Sequence, residues 1–269
     1  MAKTAESAPD GGAKDKNVVH SLAKGFRVLE AFTADEPELL QSEVARRAGL
    51  DDGTAFRMLN TLVSLGYVAK VAGTRRFRLT LKPLDLGFNA IARTGLRDLA
   101  RPLLRSLVGE VNEAASLGVL DGGDVVYVER VQSGLVRIGV DIRVGSRIPA
   151  TATAIGQVLL AFLPARDLDA MLITARFERI GPDAPVTAAQ LRKRLAEVRR
   201  DGTALSDWAS VNGLRVLAAP VLDRDGCAVA ALSVAAPAVR VGQDAFVKAV
   251  RVPLLARAKE LGAALSAAG

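Results

Sequence analysis

Residues 42–68 read SEVARRAGLDDGTAFRMLNTLVSLGYV, two short amphipathic segments separated by one glycine. Ser42 is a good helix N-cap, and the apolar residues after it give a short helix one apolar face. Gly49 can take the left-handed conformation that ends such a helix. From Ala55 the second segment repeats apolar residues at i, i+4 and i+7, the spacing of a buried helical stripe. The pattern therefore predicts a helix-turn-helix.

The segment after the second predicted helix adds a basic hairpin. Tyr67–Val71 and Phe77–Leu79 have the composition of two short strands around the turn Ala72–Arg76. Between residues 70 and 82 there are five basic side chains and no acidic one. A basic hairpin after a helix-turn-helix predicts a winged helix-turn-helix, a domain that is typical of DNA binding.

The predicted DNA contacts come from the polar face of the second helix, from the start of the first and from the hairpin tip. They are Ser42, Thr54, Phe56, Arg57, Asn60, Thr61, Arg75 and Arg76. The three arginines are expected to bind phosphates, because guanidinium groups neutralise the charge of the DNA backbone. Asn60 is expected to read an adenine edge, and Phe56 to contact a thymine methyl group.

The composition bounds the kind of protein. With 269 residues, 50% of them hydrophobic, the chain can form two domains with cores. Its net charge of +7 and pI of about 9.9 favour a polyanionic partner. The single cysteine, Cys227, excludes an intramolecular disulfide and a cysteine-based zinc site. There is no apolar leader and no run near the ~18 apolar residues of a membrane span, so we expect a soluble, cytoplasmic protein without a membrane partner.

Four parts follow one another along the chain. Residues 1–17 are small, polar and charged, which predicts a disordered tail. Residues 18–81 form the predicted winged helix-turn-helix, residues 82–96 a linker helix, and residues 97–269 a second domain. A first helix is expected to close the core of the winged domain with apolar residues at helical spacing, namely Val18, Leu22, Phe26, Leu29 and Phe32.

The second domain mixes helical and alternating periodicity. The predicted strands are Ala114–Leu120, Asp124–Val131 and Leu135–Ile142, which form a meander, and Leu214–Leu222 and Cys227–Ala235, which flank a DRDG turn. The predicted helices are Arg97–Val111, Thr153–Phe162, a region from Pro164, Thr187–Arg200 and Gln243–Leu265. An antiparallel sheet flanked by helices is an α+β, sensor-like domain.

The helix predicted to start near Thr153 is a candidate anion site. The first residues of this helix are small, which would leave the N–H groups of its N-terminus accessible. These residues are Thr151, Thr153, Ala154 and Gly156. Two neighbouring strands would add an apolar wall and a hydrogen-bond donor, namely Leu214, Val216 and Ser233. The mixture fits a small carboxylate and favours an aromatic one.

Three kinds of function are compatible with these residues. They are a ligand-responsive DNA-binding regulator, an enzyme for a small carboxylate with a fused DNA-binding domain, and a ligand-independent DNA-binding protein. The second domain has no histidine, so no Ser–His pair can form there. We find no GxSxG, Walker or GxGxxG motif and no metal-ligand cluster, and we assign no catalytic residue, metal or cofactor. Catalysis by a carboxylate such as Asp207 stays open. The size of the second domain argues against a DNA-binding protein that has no ligand.

From about Val18 onward the chain resembles the IclR family of bacterial transcription regulators. The similar segments are SLAKGFRVLEAF at 21–32, residues 42–68, FRLTL at 77–81, RIPATATAIG at 147–156, GLRVLAAP at 213–220 and AALSVAAP at 230–237. Their order over about 250 residues makes the match specific. The details favour the branch of the family that regulates the breakdown of aromatic acids.

The resemblance implies a homodimer or homotetramer that binds double-stranded operator DNA and has a small-molecule effector pocket in a GAF-like or profilin-like domain. The effector would be an organic or aromatic carboxylate. The pocket residues that it implies are Ala154, Ile155, Ser206, Asp207, Leu214, Val216 and Ser233, to which the helix start adds Thr153 and Gly156. The chain departs from the family at the start of the recognition helix, where Asp51 is a sound N-cap and Asp52 would face phosphates or bases.

Overall fold

The computed structural model describes residues 17–92, 95–132, 142–177, 184–208 and 213–268. The chain divides into two compact units with a boundary between Asn89 and Ala90. We name them the N-terminal unit and the C-terminal unit. The boundary falls within the stretch predicted as a linker helix, and the predicted tail lies outside the described residues except for Asn17.

The N-terminal unit is a helix-turn-helix with a three-stranded wing. Its helices are α1 (His20–Glu30), α2 (Gln41–Ala48) and α3 (Asp52–Ser64), and α4 (Pro83–Ala92) runs across the unit boundary. Its strands are β1 (Glu38–Leu40), β2 (Val68–Lys70) and β3 (Arg76–Leu79), paired antiparallel in the order β1-β3-β2. Strand β1 was not predicted, because three residues are too few to show an alternating pattern.

Helix α2 starts earlier than its sequence suggests. It begins at Gln41, directly after β1, so Ser42 lies in its first turn and the prediction that Ser42 is the N-cap is wrong. Strand pairing holds Leu40 extended, and its N–H donates a 2.7 Å hydrogen bond to the carboxylate of Glu43. At the other end Gly49 is left-handed, with φ of 62°, as predicted.

Helix α1 and its flanks carry apolar residues on two sides. Val28 and Phe32 are buried in a core shared with α2, α3 and the wing. Leu22 and Phe26 are 61% and 50% exposed, so the prediction that they close this core is wrong. On a helix with 3.6 residues per turn, Leu22 and Val28 are about 120° apart and cannot face the same core. An apolar stripe of α1 is therefore left on the surface.

The described residues of the C-terminal unit form a six-stranded antiparallel sheet with helices on both faces. Its strands are β4 (Ala114–Asp121), β5 (Asp124–Val131), β6 (Arg147–Pro149), β7 (Ala204–Trp208), β8 (Leu214–Leu222) and β9 (Ala228–Pro237), in the order β6-β5-β4-β9-β8-β7. Its helices are α5 (Leu96–Val111), α6 (Ala154–Ala161), α7 (Ala165–Thr174), α8 (Ala188–Asp201) and α9 (Gln243–Ala268). A 3₁₀ turn, Ala150–Ala152, precedes α6. The predicted α+β class is confirmed.

The strands depart from the prediction at the ends of the sheet. The first hairpin of the predicted meander is formed by β4 and β5. The third predicted strand lies outside the described residues except for Ile142, which belongs to no strand. The short strands β6 and β7 were not predicted, because three and five residues carry little periodic signal.

The two faces of the sheet have separate cores. Leu217 and Leu232 belong to the core beneath α5 and α9. Their neighbours along the strands, such as Ala218 and Ala231, belong to the core beneath α6 and α8. This split follows from the alternation of side chains along a strand. The two cores place α5 and α6 on opposite sides of the same strands.

Strand β5 contains a bulge near its end. Tyr127 and Glu129 pair with consecutive residues of β4, so Val128 between them has no partner on that strand. One extra residue reverses the alternation of those that follow it. Arg130 therefore shares the α6 face of the sheet with Tyr127, whereas Glu129 faces α5.

Candidate functional site

Helix α3 is held at its start by Asp51. The Asp51 carboxylate accepts a 2.8 Å hydrogen bond from the Thr54 N–H, which confirms Asp51 as the N-cap. Hydrogen bonding from Thr54 lowers the pKa of Asp51 below its usual value of 3.8. The carboxylate is therefore charged at neutral pH and lies at the positive end of the helix dipole.

One face of α3 is exposed and carries polar and aromatic groups. Phe56 is 50% exposed, Arg57 is exposed, and Asn60 is half-buried. The Arg57 Nη2 donates a 3.1 Å hydrogen bond to Thr54 Oγ1, which orients the guanidinium. This face presents a cation, an amide and an aromatic ring, groups that bind phosphates and base edges.

The two threonines among the predicted DNA contacts on α3 have different surroundings. Thr54 is only 7% exposed and its hydroxyl accepts the bond from Arg57, so it positions Arg57 instead of reaching the surface. The Thr61 hydroxyl donates to the carbonyl of Arg57 at 2.9 Å. Thr61 lines an apolar groove together with Leu22 and Phe26 of α1. Thr54 is therefore buried, whereas Thr61 is exposed one turn after Arg57, and its contact with DNA stays a prediction.

A polar cleft of about 530 Å³ separates the wing from the starts of α2 and α3. Its polar lining comprises Gln41, Ser42, Asp52, Lys70, Thr74, Arg75 and Arg76. The Gln41 Nε2 donates to the carbonyl of Asp52 at 3.2 Å and ties the starts of the two helices together. Three cations and one carboxylate give the cleft a positive balance, which suits a phosphodiester strand. Sequence reasoning missed Gln41 and Lys70, which carry no distinctive spacing.

The two wing arginines have different surroundings. The Arg76 Nη1 donates to the carbonyl of Glu38 at 2.9 Å and to the carboxylate of Glu43 at 3.3 Å. The Arg76 guanidinium therefore joins β3 to β1 and α2, but its side chain is 41% exposed and lines the cleft, so its role as a phosphate ligand stays a prediction. Arg75 is exposed at the tip of the turn. Both arginines line the cleft, and the contact of Arg75 with DNA also stays a prediction.

The C-terminal unit contains a cavity between the sheet and the start of α6. Its polar lining is Ser116, Tyr127, Arg130, Thr153, Trp208 and Ser233. Its apolar lining is Ile142, Ala154, Ile155, Leu214, Val216 and Ala235. The free space is about 10 Å³, which is room for one water molecule. The walls are close together, and a ring-sized molecule would have to move them apart.

Six of the nine predicted ligand residues line this cavity: Thr153, Ala154, Ile155, Leu214, Val216 and Ser233. Gly156 does not. Its N–H donates a 3.0 Å hydrogen bond to the hydroxyl of Thr153. A Cβ at Gly156 would overlap the carbonyl of Ala150, so the residue packs against the 3₁₀ turn. Of the N–H groups that the predicted anion site would use, that of Gly156 is therefore bonded to the cap of the helix itself.

Ser206 and Asp207 lie on β7, outside the cavity lining. Because side chains alternate along a strand, Asp207 points away from the cavity, and its carboxylate forms a 2.9 Å ion pair with Arg215. Ser206 is buried beside its cross-strand partner Val216. Trp208 reaches the cavity instead. Strand alternation could have excluded one of the two adjacent predicted residues, since both cannot face the same side.

Among the described residues that line the cavity, the charged one is Arg130, which sequence reasoning missed. Its Nη1 donates a 2.9 Å hydrogen bond to the hydroxyl of Ser116, its cross-strand partner on β4. Simple alternation from Tyr127 would place residue 129 on this face, and only the bulge at Val128 brings Arg130 there. Burial raises the pKa of Tyr127 to about 12, so its phenol stays protonated and can donate a hydrogen bond.

The described residues form neither a metal centre nor a membrane-spanning helix. Within the described ranges no three His, Cys, Asp or Glu side chains are grouped so that they could hold a metal ion. No helix among the described residues is both long and apolar enough to cross a membrane.

A winged helix-turn-helix with a positive cleft, followed by an α+β unit with a small cavity that Arg130 lines, is the organisation of a DNA-binding regulator with a separate second domain. Comparison with known proteins gives the family. The model described as "IclR helix-turn-helix domain" matches residues 21–72, and "Bacterial transcriptional regulator IclR C-terminal" matches residues 88–263. The chain belongs to the IclR family of transcriptional regulators, as the resemblance of its sequence motifs implies, and is assigned as a regulator and not an enzyme.

Three relatives illustrate the similarity. The chain is 32% identical to the transcriptional regulator KdgR of Dickeya chrysanthemi over 86% of this chain and 75% of that protein. It is 31% identical to the Pca regulon regulatory protein of Pseudomonas putida over 92% of this chain and 84% of that protein. The crystal structure of an IclR homolog from Microbacterium hydrocarbonoxydans, complexed with 4-hydroxybenzoate, superposes with a TM-score of 0.75 at 26% identity, covering 91% of this chain and 99% of that one.

Proposed function

We propose that this chain is a ligand-responsive regulator of catabolic genes that binds operator DNA as a symmetric homo-oligomer. A small aromatic carboxylate would change that binding from the cavity between the sheet and the start of α6, which we call the Arg130 cavity. The observation that carries the proposal is the placement of one arginine, Arg130, among aromatic and aliphatic side chains in the cavity of the C-terminal unit.

Arg130 is suited to the acid group of such a ligand. A guanidinium is planar and can bind a carboxylate through two parallel hydrogen bonds. The bond from Arg130 to Ser116 fixes the guanidinium on the cavity side of the sheet, so less side-chain freedom would be lost when a ligand binds. Because the cavity is partly shielded from water, the attraction between the two charges is stronger than on the surface.

The remaining lining suits an aromatic ring. Trp208 and Tyr127 supply aromatic faces or edges, and Leu214, Val216 and Ile155 supply aliphatic walls. Hydroxyl groups of the lining could bind a substituent on the ring. The Microbacterium relative is complexed with 4-hydroxybenzoate, which combines a carboxylate, a ring and a hydroxyl. The name of the Pseudomonas relative, a Pca regulon regulatory protein, also supports a catabolic target.

The closeness of the cavity walls provides a physical basis for a response. A ring-sized ligand would bind only to an opened arrangement of the C-terminal unit. A ligand shifts an equilibrium only by its differential affinity for the two arrangements. Because the existing space is about 10 Å³, that difference is expected to be large.

The proposed oligomer would use the apolar groove of the N-terminal unit, and the occupant would be the same groove of a second copy. The groove has a volume of about 410 Å³, and its lining includes the largely exposed Leu22, Phe26, Leu65 and Leu86. A continuous apolar surface of this kind is typical of an interface. One small winged domain offers little contact area, and a two-fold pair would match a pseudo-palindromic operator.

The groove is tested by Leu22→Glu, which would place a charge in the proposed interface. We expect this variant to shift to a smaller species in analytical ultracentrifugation and to footprint a half-site weakly. The matched control is Val239→Glu, since Val239 is 95% exposed and lies on the C-terminal unit. If Leu22→Glu keeps the mass and footprint of the unmodified protein, the second copy binds elsewhere.

The ligand is tested by calorimetry with 4-hydroxybenzoate and with the uncharged 4-hydroxybenzamide. We expect the acid to bind and the amide to bind much more weakly. Arg130→Met should lower the affinity for the acid by at least about tenfold, because a hydrogen bond to a charged group contributes about 1.5–3 kcal/mol. Arg192→Met, on the exposed surface of α8, is the control and should bind normally. Equal binding of acid and amide would contradict a carboxylate effector.

A further inference from the structure

The bulged end of β5 places two charged residues back to back on opposite faces of the sheet. Arg130 faces the cavity, and Glu129 faces α5, the helix that opens the C-terminal unit. A strand without the bulge at Val128 would not present this pair in this way, because residue 129 would share the cavity face with Tyr127. The bulge therefore decides which residue faces the cavity: Arg130 lines it, and Glu129, one peptide unit earlier, faces α5.

Glu129 connects both sides through its carboxylate. Its Oε2 accepts a 2.7 Å hydrogen bond from the Nε of Arg97, and the Nε of Arg101 lies 4.0 Å away. Its Oε1 accepts a 3.0 Å hydrogen bond from the backbone N–H of Arg130. The same carboxylate thus contacts the first turns of α5 and the peptide that carries the cavity arginine.

The burial of Glu129 makes this connection stiff. Its side chain is only 5% exposed, whereas that of Arg97 is 30% exposed. A buried carboxylate cannot exchange its partners for water without a large cost, so it must move with them. A shift of the Arg130 peptide should therefore be transmitted to Arg97, or else break the ion pair.

A displacement of the Arg130 peptide would be transmitted from the sheet to helix α5. Arg97 lies in its first turn, at the end nearer in sequence to α4 and the winged domain. Only residues 93–95 separate the two helices in sequence. A displacement of the start of α5 would therefore act on the short segment that leads back to α4 and the N-terminal unit.

From these contacts we infer that Glu129 and Arg97 form the link that carries occupancy of the Arg130 cavity to the start of α5, and hence to operator affinity. Both are positioning residues, which act through Arg130 and α5 and do not touch the effector. The inference rests on the proposed effector cavity. It adds the path by which binding of the effector would change DNA binding.

A ligand-free experiment tests the link itself. Amide hydrogen exchange is measured at residues 97–101 for Arg130→Met in the unmodified chain and in a Glu129→Gln background. We expect Arg130→Met to change exchange at these residues by at least about twofold in the first case and not in the second, because contacting residues in one network are coupled. Equal effects in both backgrounds, or none in either, would overturn the inference.

A second experiment measures the link with 4-hydroxybenzoate as the probe. For the unmodified protein we expect the acid to change operator affinity at least about fivefold. Glu129→Gln should bind the acid within about threefold of normal, and should bind the operator normally without it. In Glu129→Gln, the operator affinities measured with and without the acid should differ by less than about twofold. An unchanged ratio in this variant would overturn the inference.

The matched control is Glu113→Gln, which breaks the ion pair of Glu113 with Arg240 at the opposite end of α5. Its side chain is also well buried, at 12% exposure, so the variant loosens the unit without touching β5. We expect Glu113→Gln to keep the normal ratio of operator affinities with and without the acid. If its ratio fell as much as that of Glu129→Gln, general destabilisation would explain both variants and the inference would be wrong. If Glu129→Gln does not fold, the double variant Arg97→Gln and Glu129→Gln removes both charges and is measured in the same way.

The two proposals fail in different ways. If the unmodified protein binds no 4-hydroxybenzoate, the effector class is wrong, and hydrogen exchange still decides whether Arg130 and α5 are linked. If the acid binds and operator affinity responds normally in Glu129→Gln, the effector class stands and the link is wrong.

Discussion

The two units hold their functional arginines in opposite settings. On the N-terminal unit Arg57 and Arg75 are exposed, where water and salt screen them and a polyanion can reach them directly. In the C-terminal unit Arg130 is partly buried on a bulged strand and bonded to Ser116. Exposed arginines can be added or removed with small effects on folding. The cavity arginine depends on the packing around it, and changes in that packing should have the larger effects.

The largest effect is expected from Gly156→Ala in the C-terminal unit. The added methyl group would overlap the backbone of Ala150, which cannot rotate away as a side chain can. We expect a loss of about 3 kcal/mol in the free energy of unfolding, measured with urea. The control is Gly109→Ala in α5, where a Cβ meets nothing within 4 Å, and which should be neutral or stabilising by up to about 1 kcal/mol. Equal stabilities for the two variants would contradict the tight contact of α6 with the 3₁₀ turn.

Base readout by the exposed face of α3 is the next largest effect. Asn60→Ala should relax sequence preference at one or two operator positions by about 1–3 kcal/mol, because an amide can bond two atoms of one adenine edge. Affinity for random DNA should stay nearly unchanged. Phe56→Ala, on the same face, should relax a different position. Selection of binding sites from a random library is the measurement, and recovery of the same operator by Asn60→Ala would show that this residue reads no base.

The two wing arginines give a smaller and separable pair of effects. Arg75→Ala should lower the salt dependence of DNA binding by about 0.9 in log–log slope and leave folding unchanged. Arg76→Ala should destabilise the N-terminal unit by about 1 kcal/mol, because its bonds to Glu38 and Glu43 are lost. Salt titrations and urea unfolding separate the two. If Arg76→Ala lowered the salt dependence as much as Arg75→Ala and kept normal stability, Arg76 would be a phosphate ligand and not a structural contact.

The smallest effect concerns the cap of α3. The pKa of Asp51 is lowered in the folded protein, so its charged form stabilises the helix above the unfolded pKa of about 3.8. That contribution should be lost as the pH falls through the lower, folded pKa. Asp51→Asn keeps an uncharged cap, and its stability relative to the unmodified protein should therefore rise in acid. A difference that is constant from pH 6 to pH 2.5 would show that the charge of Asp51 is not used.

The N-terminal unit was the more predictable from sequence, for a physical reason. Its helices are amphipathic over several turns, and Gly49 and Asp51 mark their ends by local chemistry that needs no distant partner. The errors arose where a non-local contact took over. Helix α2 starts where strand β1 ends and not at Ser42. The bond from Arg76 to the carbonyl of Glu38 on β1 was likewise not predicted.

The cavity was predicted less well because its key geometry is non-local. Motif similarity suggested Leu214, Val216 and Ser233 as ligand residues, and the three line the cavity. Their contact with a ligand stays a prediction. Arg130 was not predicted, because only the pairing of β5 with β4 shows that Val128 is an extra residue. Glu129 was missed for the same reason. A charge next to a bulge cannot be assigned to one face of a sheet from the order of residues alone.

The central claim is that the cavity of the C-terminal unit controls DNA binding by the N-terminal unit. It is tested most directly by measuring operator affinity with and without 4-hydroxybenzoate, for the unmodified protein and for Arg130→Met, on an operator selected in vitro. The unmodified protein should change its affinity at least about fivefold, and Arg130→Met should bind the operator equally well in both conditions. A response of the same size in both proteins, or binding of the acid with no response in either, would contradict the claim.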